Sequence, residues 1–137
     1  MNIYMKILLL LGMIFMHIIA DYNQGWIAEA KQKKYWEKNV PDMMHLYKND
    51  YKVVMLIHSF KWTFLMMLIP MSYMFISFGY KITNSCFMII ISLFILNIWI
   101  HYIVDDMKAN KFKINLVFDQ SMHLLQIIAT WLFTIMI

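Results

Sequence analysis

The sequence predicts an all-α integral membrane bundle of about four transmembrane helices with a helical cytoplasmic link. Three observations predict it. Of the 137 residues, 62% are hydrophobic and only 15% charged, at a mean hydropathy of +0.59. That leaves too little polar surface for a soluble domain of this size. The apolar residues gather in four runs of roughly membrane-spanning length, and the polar residues gather in one stretch, 22–52, and in short connections. The length corresponds to a single domain, 1–137.

The first span is predicted over about 2–20. Lys6 ahead of the apolar run Ile7–Ala20 has the form of a secretory signal, but Ile18 is bulky where cleavage wants a small side chain. The run therefore reads as an uncleaved helix, on the short side for a span. It ends in His17-x-x-x-Asp21. In the polar link 22–52, Asn23–Lys38 has helix-forming composition, with Trp26, Tyr35 and Trp36 as interface anchors and no clean apolar stripe. Asn39-Val40-Pro41 ends that helix, because the residue before proline is pushed out of helical geometry. A second short helix is expected over Asp42–Asp50, with His45 solvated.

The second span, 53–79, has its dense part over Trp62–Gly79. His58 and Lys61 then lie near the boundary, where a lysine can snorkel, and Pro70 is expected to kink the helix. Tyr80–Ser85 reads as a short turn, followed by a third span over 86–105 that closes in His101-x-x-x-Asp105. After the polar link Asp106–Asn115 comes the fourth span, 116–137, which opens with Asp119-x-x-x-His123. Asp106 is expected to pair locally with neighbouring lysines.

Charge orients the chain. The 12 basic residues are all lysine, and Lys31, Lys33, Lys34, Lys38, Lys48, Lys52, Lys108, Lys111 and Lys113 fall in the long link and in the Asp106–Asn115 link. Only Lys6 and Lys81 fall on the other side. This bias puts both links in the cytoplasm and both termini outside it. Absence of arginine removes the forked donor best suited to phosphate and base readout, so no nucleic-acid partner is expected. The single Cys86 excludes an internal disulfide or a cysteine-rich zinc site. The 15 methionines are read as soft apolar filler.

This topology has a chemical consequence. His17, Asp21, His58, His101, Asp105, Asp119 and His123 all fall within about two turns of one boundary, at about 5.4 Å per turn. An ionisable group at a helix centre costs about 2.5–3.5 kcal/mol and is a functional hypothesis by default. Spans one and three end in the same His-Asp spacing, and spans two and four open with a His. Two hairpins related by a pseudo-two-fold axis along the membrane normal would produce that pattern.

Three readings of the seven residues are open. In the first they form a site for one or two divalent transition-metal ions, and imidazole with carboxylate suits Zn, Mn, Fe, Co or Ni. A hydrolase built on such a site would lower the pKa of bound water and use an unengaged carboxylate as general base. In the second they form a hydrogen-bonded polar core that fixes helix packing. The third is a proton or cation path, for which so small a chain would have to oligomerise.

Several pieces occur in order: His17-x-x-x-Asp21 followed by Gln24 and Lys31; Leu56-Ile57-His58; Leu96-Asn97-x-x-x-His101-x-x-x-Asp105-x-x-Lys108; and Phe118-Asp119-Gln120-x-x-His123-Leu124-Leu125. Together they resemble the bacterial and phage membrane-protein family catalogued as domain of unknown function 3307, over about Met13 to Ile127. That family has no established activity, so the resemblance implies a bacterial inner-membrane or phage-encoded location and a shared polar constellation. A similar His-and-Asp pattern in LexA-regulated inner-membrane proteins labelled metal-dependent hydrolases favours metal. Members often carry a hydroxyl residue after the glutamine of the first motif, and here Gly25 follows Gln24. The expected function is thus a metal-dependent membrane hydrolase acting on lipid or lipid-linked material. The alternative is a non-enzymatic membrane module with a structural polar core, binding another membrane protein.

Overall fold

The structure, a computed structural model, describes residues 1–79 and 83–136. Most of them are helical and none of the described residues is in a strand. Four long helices, α1 (Ile3–Tyr22), α5 (Asp50–Phe78), α6 (Asn84–Ala109) and α7 (Leu116–Met136), are long and apolar enough to cross a membrane. Between the first two lie α2 (Ile27–Ala30), α3 (Lys33–Asn39), a 3₁₀ turn (Pro41–Met43) and α4 (Met44–Tyr47).

Local chemistry sets the ends. The Asn2 side chain accepts the Met5 N–H at the start of α1, Thr83 caps α6, and Asn115 Oδ1 accepts the Phe118 N–H at 2.9 Å as α7 begins. Gly79 ends α5 with φ of 51°, a backbone region that glycine enters without a Cβ clash.

Several expectations change here. The third span starts at Asn84, because the Thr83 cap recruits Asn84 and Ser85 into the helix instead of the turn. The rest of that expected turn, Tyr80–Ile82 with Lys81, lies outside the described residues, as does Ile137. α5 begins at Asp50 and absorbs the end of the link, and it contains Pro70. The single helix expected over Asn23–Lys38 is two short ones, separated where Lys31 turns inward. The Trp36 indole donates to Ala30 O across that break at 2.8 Å, which satisfies a carbonyl that a continuous helix would have used. The expected Asp42–Asp50 helix is reduced to a 3₁₀ turn and α4.

In the bundle, α5 packs against α1 and α6, and α7 closes the ring against the same two. At one end Gln120 reaches Asp21, and at the other the Trp131 indole donates to Lys6 O at 2.8 Å, so α1 and α7 run antiparallel. The short helices α2 and α3 lie against α5 as a strap over one end. Phe75, Ile76 and Val117 are exposed on the outside, while as many polar as apolar residues are buried within. That inside-out distribution fits a lipid surround and not water. The apolar part of the core is carried by Met13, Met66, Met67, Met74, Trp62 and Ile127, so methionine fills much of it.

Candidate metal centre

The seven expected residues meet at the strap end of the bundle, on four different helices. His58 and Ser59 lie two turns into α5, on its buried face. α6 buries Asn97, His101 and Asp105, spaced four apart, in a single stripe. α7 buries Asp119, His123, Gln126 and Thr130 on the same principle. His101, His123 and His58 are fully buried, as is Asp119.

His58 Nε2 is the point of closest convergence. It lies 3.1 Å from His101 Nε2, 3.2 Å from Asp105 Oδ2 and 3.5 Å from Asp21 Oδ1. His123 Nε2 sits on the other side of the same carboxylate, 3.1 Å from Asp105 Oδ1, and 3.5 Å from Asp119 Oδ1. Two sets of ligand atoms each lie within 4.8 Å of one another: Asp21, His58 and His101, and His101, Asp105 and His123. Such a cluster could hold a metal ion.

His17 stands apart from these sets. Its Nδ1 accepts the Trp62 indole N–H at 2.7 Å, and its Nε2 faces Gln120 Oε1 at 3.2 Å. With Nδ1 taken as acceptor, the neutral ring carries its proton on Nε2 and donates to Gln120. The Gln120 amide then donates to Asp21 Oδ2 at 2.7 Å and to Asp119 Oδ2 at 3.1 Å. His17 thus orients two carboxylates through Gln120. The hairpin symmetry of the sequence is not kept in these contacts: Asp105 lies at the centre of the cluster, while Asp21, its sequence counterpart, lies at the edge.

A second chain of hydrogen bonds orients His123. The Leu93 carbonyl can only accept, so Asn97 Nδ2, 2.9 Å away, is a donor, and Asn97 Oδ1 is an acceptor. Gln126 Nε2 donates to Asn97 O and Oδ1 at 3.1 and 3.2 Å, which leaves Gln126 Oε1 facing His123 Nδ1 at 3.2 Å. His123 must therefore donate from Nδ1, and in the neutral ring its Nε2 lone pair points at the two aspartates. His58 Nδ1, His101 Nδ1 and Asp119 Oδ1 are buried without a hydrogen-bond partner among the described residues.

Trp62 and Gln126 were not marked in the sequence, while Lys31, Asn97, Lys108 and Gln120 stood in the quoted motifs without a place among the seven candidate ligands. Lys31 Nζ, buried, lies 2.6 Å from Asp105 Oδ2, and Lys108 Nζ lies 2.5 Å from Asp119 Oδ2. The stripe on α7 at one-turn intervals from Asp119 could have nominated Gln126, and Trp62 follows His58 by four residues. Lys31 is marked only by its place in the first quoted motif, and no periodicity directs it to Asp105. Asp106, as expected, pairs nearby: Lys111 Nζ lies 2.7 Å from it, and that hydrogen bond raises the Lys111 pKa. His45 is exposed, as expected.

Stacked rings wall the cluster on its deep side. Trp62 lies over His101 with centroids 4.3 Å apart, and His101 over His123 at 4.2 Å. A crevice of about 400 Å³ opens between α1 and α7, lined by Tyr22, Leu116, Val117, Gln120, Ser121 and Leu124. Gln120 both lines this crevice and touches the cluster.

Compared with family models, curated proteins and solved structures, the chain matches none. By its own geometry the chain is an all-α bundle with four candidate membrane helices and a buried His/Asp cluster able to hold a metal ion.

Proposed function

We propose that this protein binds a divalent transition-metal ion at the cytoplasmic end of its membrane bundle and uses it to hydrolyse an ester or phosphoester in a lipid or lipid-linked substrate. One observation carries the reading: Asp21 Oδ1 and His101 Nε2 lie 3.5 and 3.1 Å from His58 Nε2 in one set of candidate ligand atoms, and Asp105 Oδ2 lies 3.2 Å from the same nitrogen. Ion–ligand bonds of about 2.0–2.2 Å put neighbouring ligand atoms roughly 2.9–3.5 Å apart around tetrahedral or octahedral ions. Two imidazoles with two carboxylates suit Zn, Mn, Fe, Co or Ni without choosing among them.

An ion held there would polarise a substrate oxygen and lower the pKa of bound water. The chain's own groups supply the rest. A carboxylate left outside the ligand set accepts a proton from water, and the Lys31 and Lys108 ammoniums can face negative charge developing on the substrate. The crevice between α1 and α7 suits a lipid chain along Leu116, Val117 and Leu124, with its headgroup toward Gln120. The lysine bias supports a cytoplasmic site with both termini outside, in a bacterial inner membrane.

Elemental analysis of the detergent-purified chain tests the metal. Near-stoichiometric Zn, Mn, Fe, Co or Ni is expected, lost in His58→Ala and His101→Ala. A metal-free protein that is folded and indifferent to chelator would end the reading. Hydrolysis is tested separately, by release of product from lipid vesicles with the loaded protein and with Asp21→Asn.

A second reading, the structural polar core, is favoured by Lys31 and Lys108. The two ammoniums with an imidazolium at His123 would balance the three aspartates with no ion present. In that case the cluster fixes helix register, and the lipid crevice or a neighbouring membrane protein is its only external partner.

A further inference from the structure

Asp105 presents its two oxygens to two different histidines. Oδ2 faces His58 Nε2 at 3.2 Å, and Oδ1 faces His123 Nε2 at 3.1 Å. Each side has a further aspartate oxygen at the same distance from its histidine: Asp21 Oδ1 lies 3.5 Å from His58 Nε2, and Asp119 Oδ1 lies 3.5 Å from His123 Nε2. The arrangement is two half-sites sharing one carboxylate, and His101 Nε2 stands between them, 3.1 Å from His58 Nε2 and 3.8 Å from Asp105 Oδ1.

We propose that the centre holds two divalent ions, bridged by the Asp105 carboxylate, one with Asp21, His58 and His101 and the other with Asp119 and His123. It extends the metal reading above and rests on it. Two independent observations point to the second ion. Asp119 Oδ1 is a fully buried carboxylate oxygen with no hydrogen-bond partner among the described residues, and it is aimed at His123. The chain from Leu93 through Asn97 and Gln126 makes His123 Nδ1 the donor, so the Nε2 lone pair of the neutral ring lies between two carboxylate oxygens. A lone pair in that position calls for a proton or a metal ion, and holding the other ring nitrogen by hydrogen bond is how metal-ligating histidines are oriented.

Charge supplies the exchange. Lys31 holds Asp105 Oδ2 on one side, and Lys108 holds Asp119 Oδ2 on the other. Each half-site thus has one ammonium on an oxygen beside the ion position. Releasing both lysines to water as two ions load leaves three carboxylates against two dications, a single net positive charge. Lys108 is already about a third exposed, at 31%. Lys31 is buried and can leave only if the strap shifts. An ion pair at about 3.5–4 Å is the arrangement that clamps both the attacking and leaving oxygens of a phosphoryl transfer. The substrate class it favours is an anionic phosphoester, whose charge offsets the remaining positive one.

The test is a Mn²⁺ titration of the full chain in detergent, followed by elemental analysis and electron paramagnetic resonance. Two ions per chain and an exchange-coupled signal are expected. Asp105→Asn should abolish the coupling, whereas Asp119→Asn should retain one uncoupled ion. Saturation of the native chain at one ion, with an uncoupled six-line spectrum, would overturn the two-ion centre and leave the single-ion reading standing. No bound ion at all would overturn both. Because the native spectrum decides the matter, a variant that fails to fold does not blunt the test.

Discussion

Lys31 Nζ lies 2.6 Å from Asp105 Oδ2, although 74 residues separate them in the chain. Both side chains are nearly inaccessible, at 9% and 2%. The strap that delivers Lys31 is tied down beside this contact, since Asn110 Nδ2 donates to Lys31 O at 3.3 Å and Asn110 Oδ1 accepts the Lys33 N–H at 2.7 Å. The lysine is therefore both a counter-charge for the cluster and the pin of its cover.

Replacing Lys31 with Met separates these roles. In metal-free protein the buried Asp105 loses its partner, and breaking a buried pair on one side costs about 3–5 kcal/mol. Thermal unfolding in detergent should show a clear drop in midpoint. With metal present the repulsion is gone, so ion affinity by calorimetric titration should rise. A fall in affinity would show that Lys31 positions Asp105 for the ion instead of competing with it.

Asp21 and Asp105 both face His58 Nε2, at 3.5 and 3.2 Å. Asp21→Asn and Asp105→Asn should therefore be non-additive in metal affinity, with a coupling energy of about 0.5–3 kcal/mol in a double-mutant cycle. Additive losses would place the two carboxylates in separate sites.

Gln126 passes its orientation to His123. Gln126→Leu leaves the Nδ1–H without an acceptor and frees the ring, and loss of such an outer partner typically lowers metal affinity about 10- to 100-fold. Gln126→Glu keeps an acceptor for His123 but sets a carboxylate oxygen against Asn97 O and Oδ1, so it should lose affinity as well. Unchanged affinity in Gln126→Leu would mean that Gln126 serves packing alone.

Trp62→Phe removes the indole N–H from His17 Nδ1 while keeping an aromatic ring against His101. An unsatisfied buried acceptor costs about 1–3 kcal/mol, so the melting point should fall while metal stoichiometry is kept. Loss of the ion in this variant would give His17 and Gln120 a larger part in holding the carboxylates than orientation.

Orientation in the membrane is tested by labelling. Cys86 is the single thiol, near the end of α6 remote from the cluster. A membrane-impermeant maleimide should label it in sealed spheroplasts. In a Cys86→Ser background, Phe112→Cys, at a position 74% exposed beside the cluster end, should react only after the membrane is opened. The reverse pattern would place the cluster outside the cytoplasm.

The sequence by itself determined the bundle. Four apolar runs and a shortage of charge leave few alternatives to membrane helices, because backbone polar groups in lipid must be satisfied within the segment. Helical periodicity also put His101 with Asp105, and Asp119 with His123, on common faces near the helix ends, since residues four apart are neighbours on a helix. The local departures were set by contacts no periodicity encodes. The break at Lys31 exists because its side chain turns to Asp105 on another helix, and Trp36 then caps the opened turn. Only the tertiary structure decided which polar groups meet around which. His17 and His101 share a motif, yet one is held by Trp62 and Gln120 and the other faces His58. The cause is distance in sequence: helix rotation and the packing of α1 against α5 and α7 choose the partners, and those depend on side chains scattered over the whole chain.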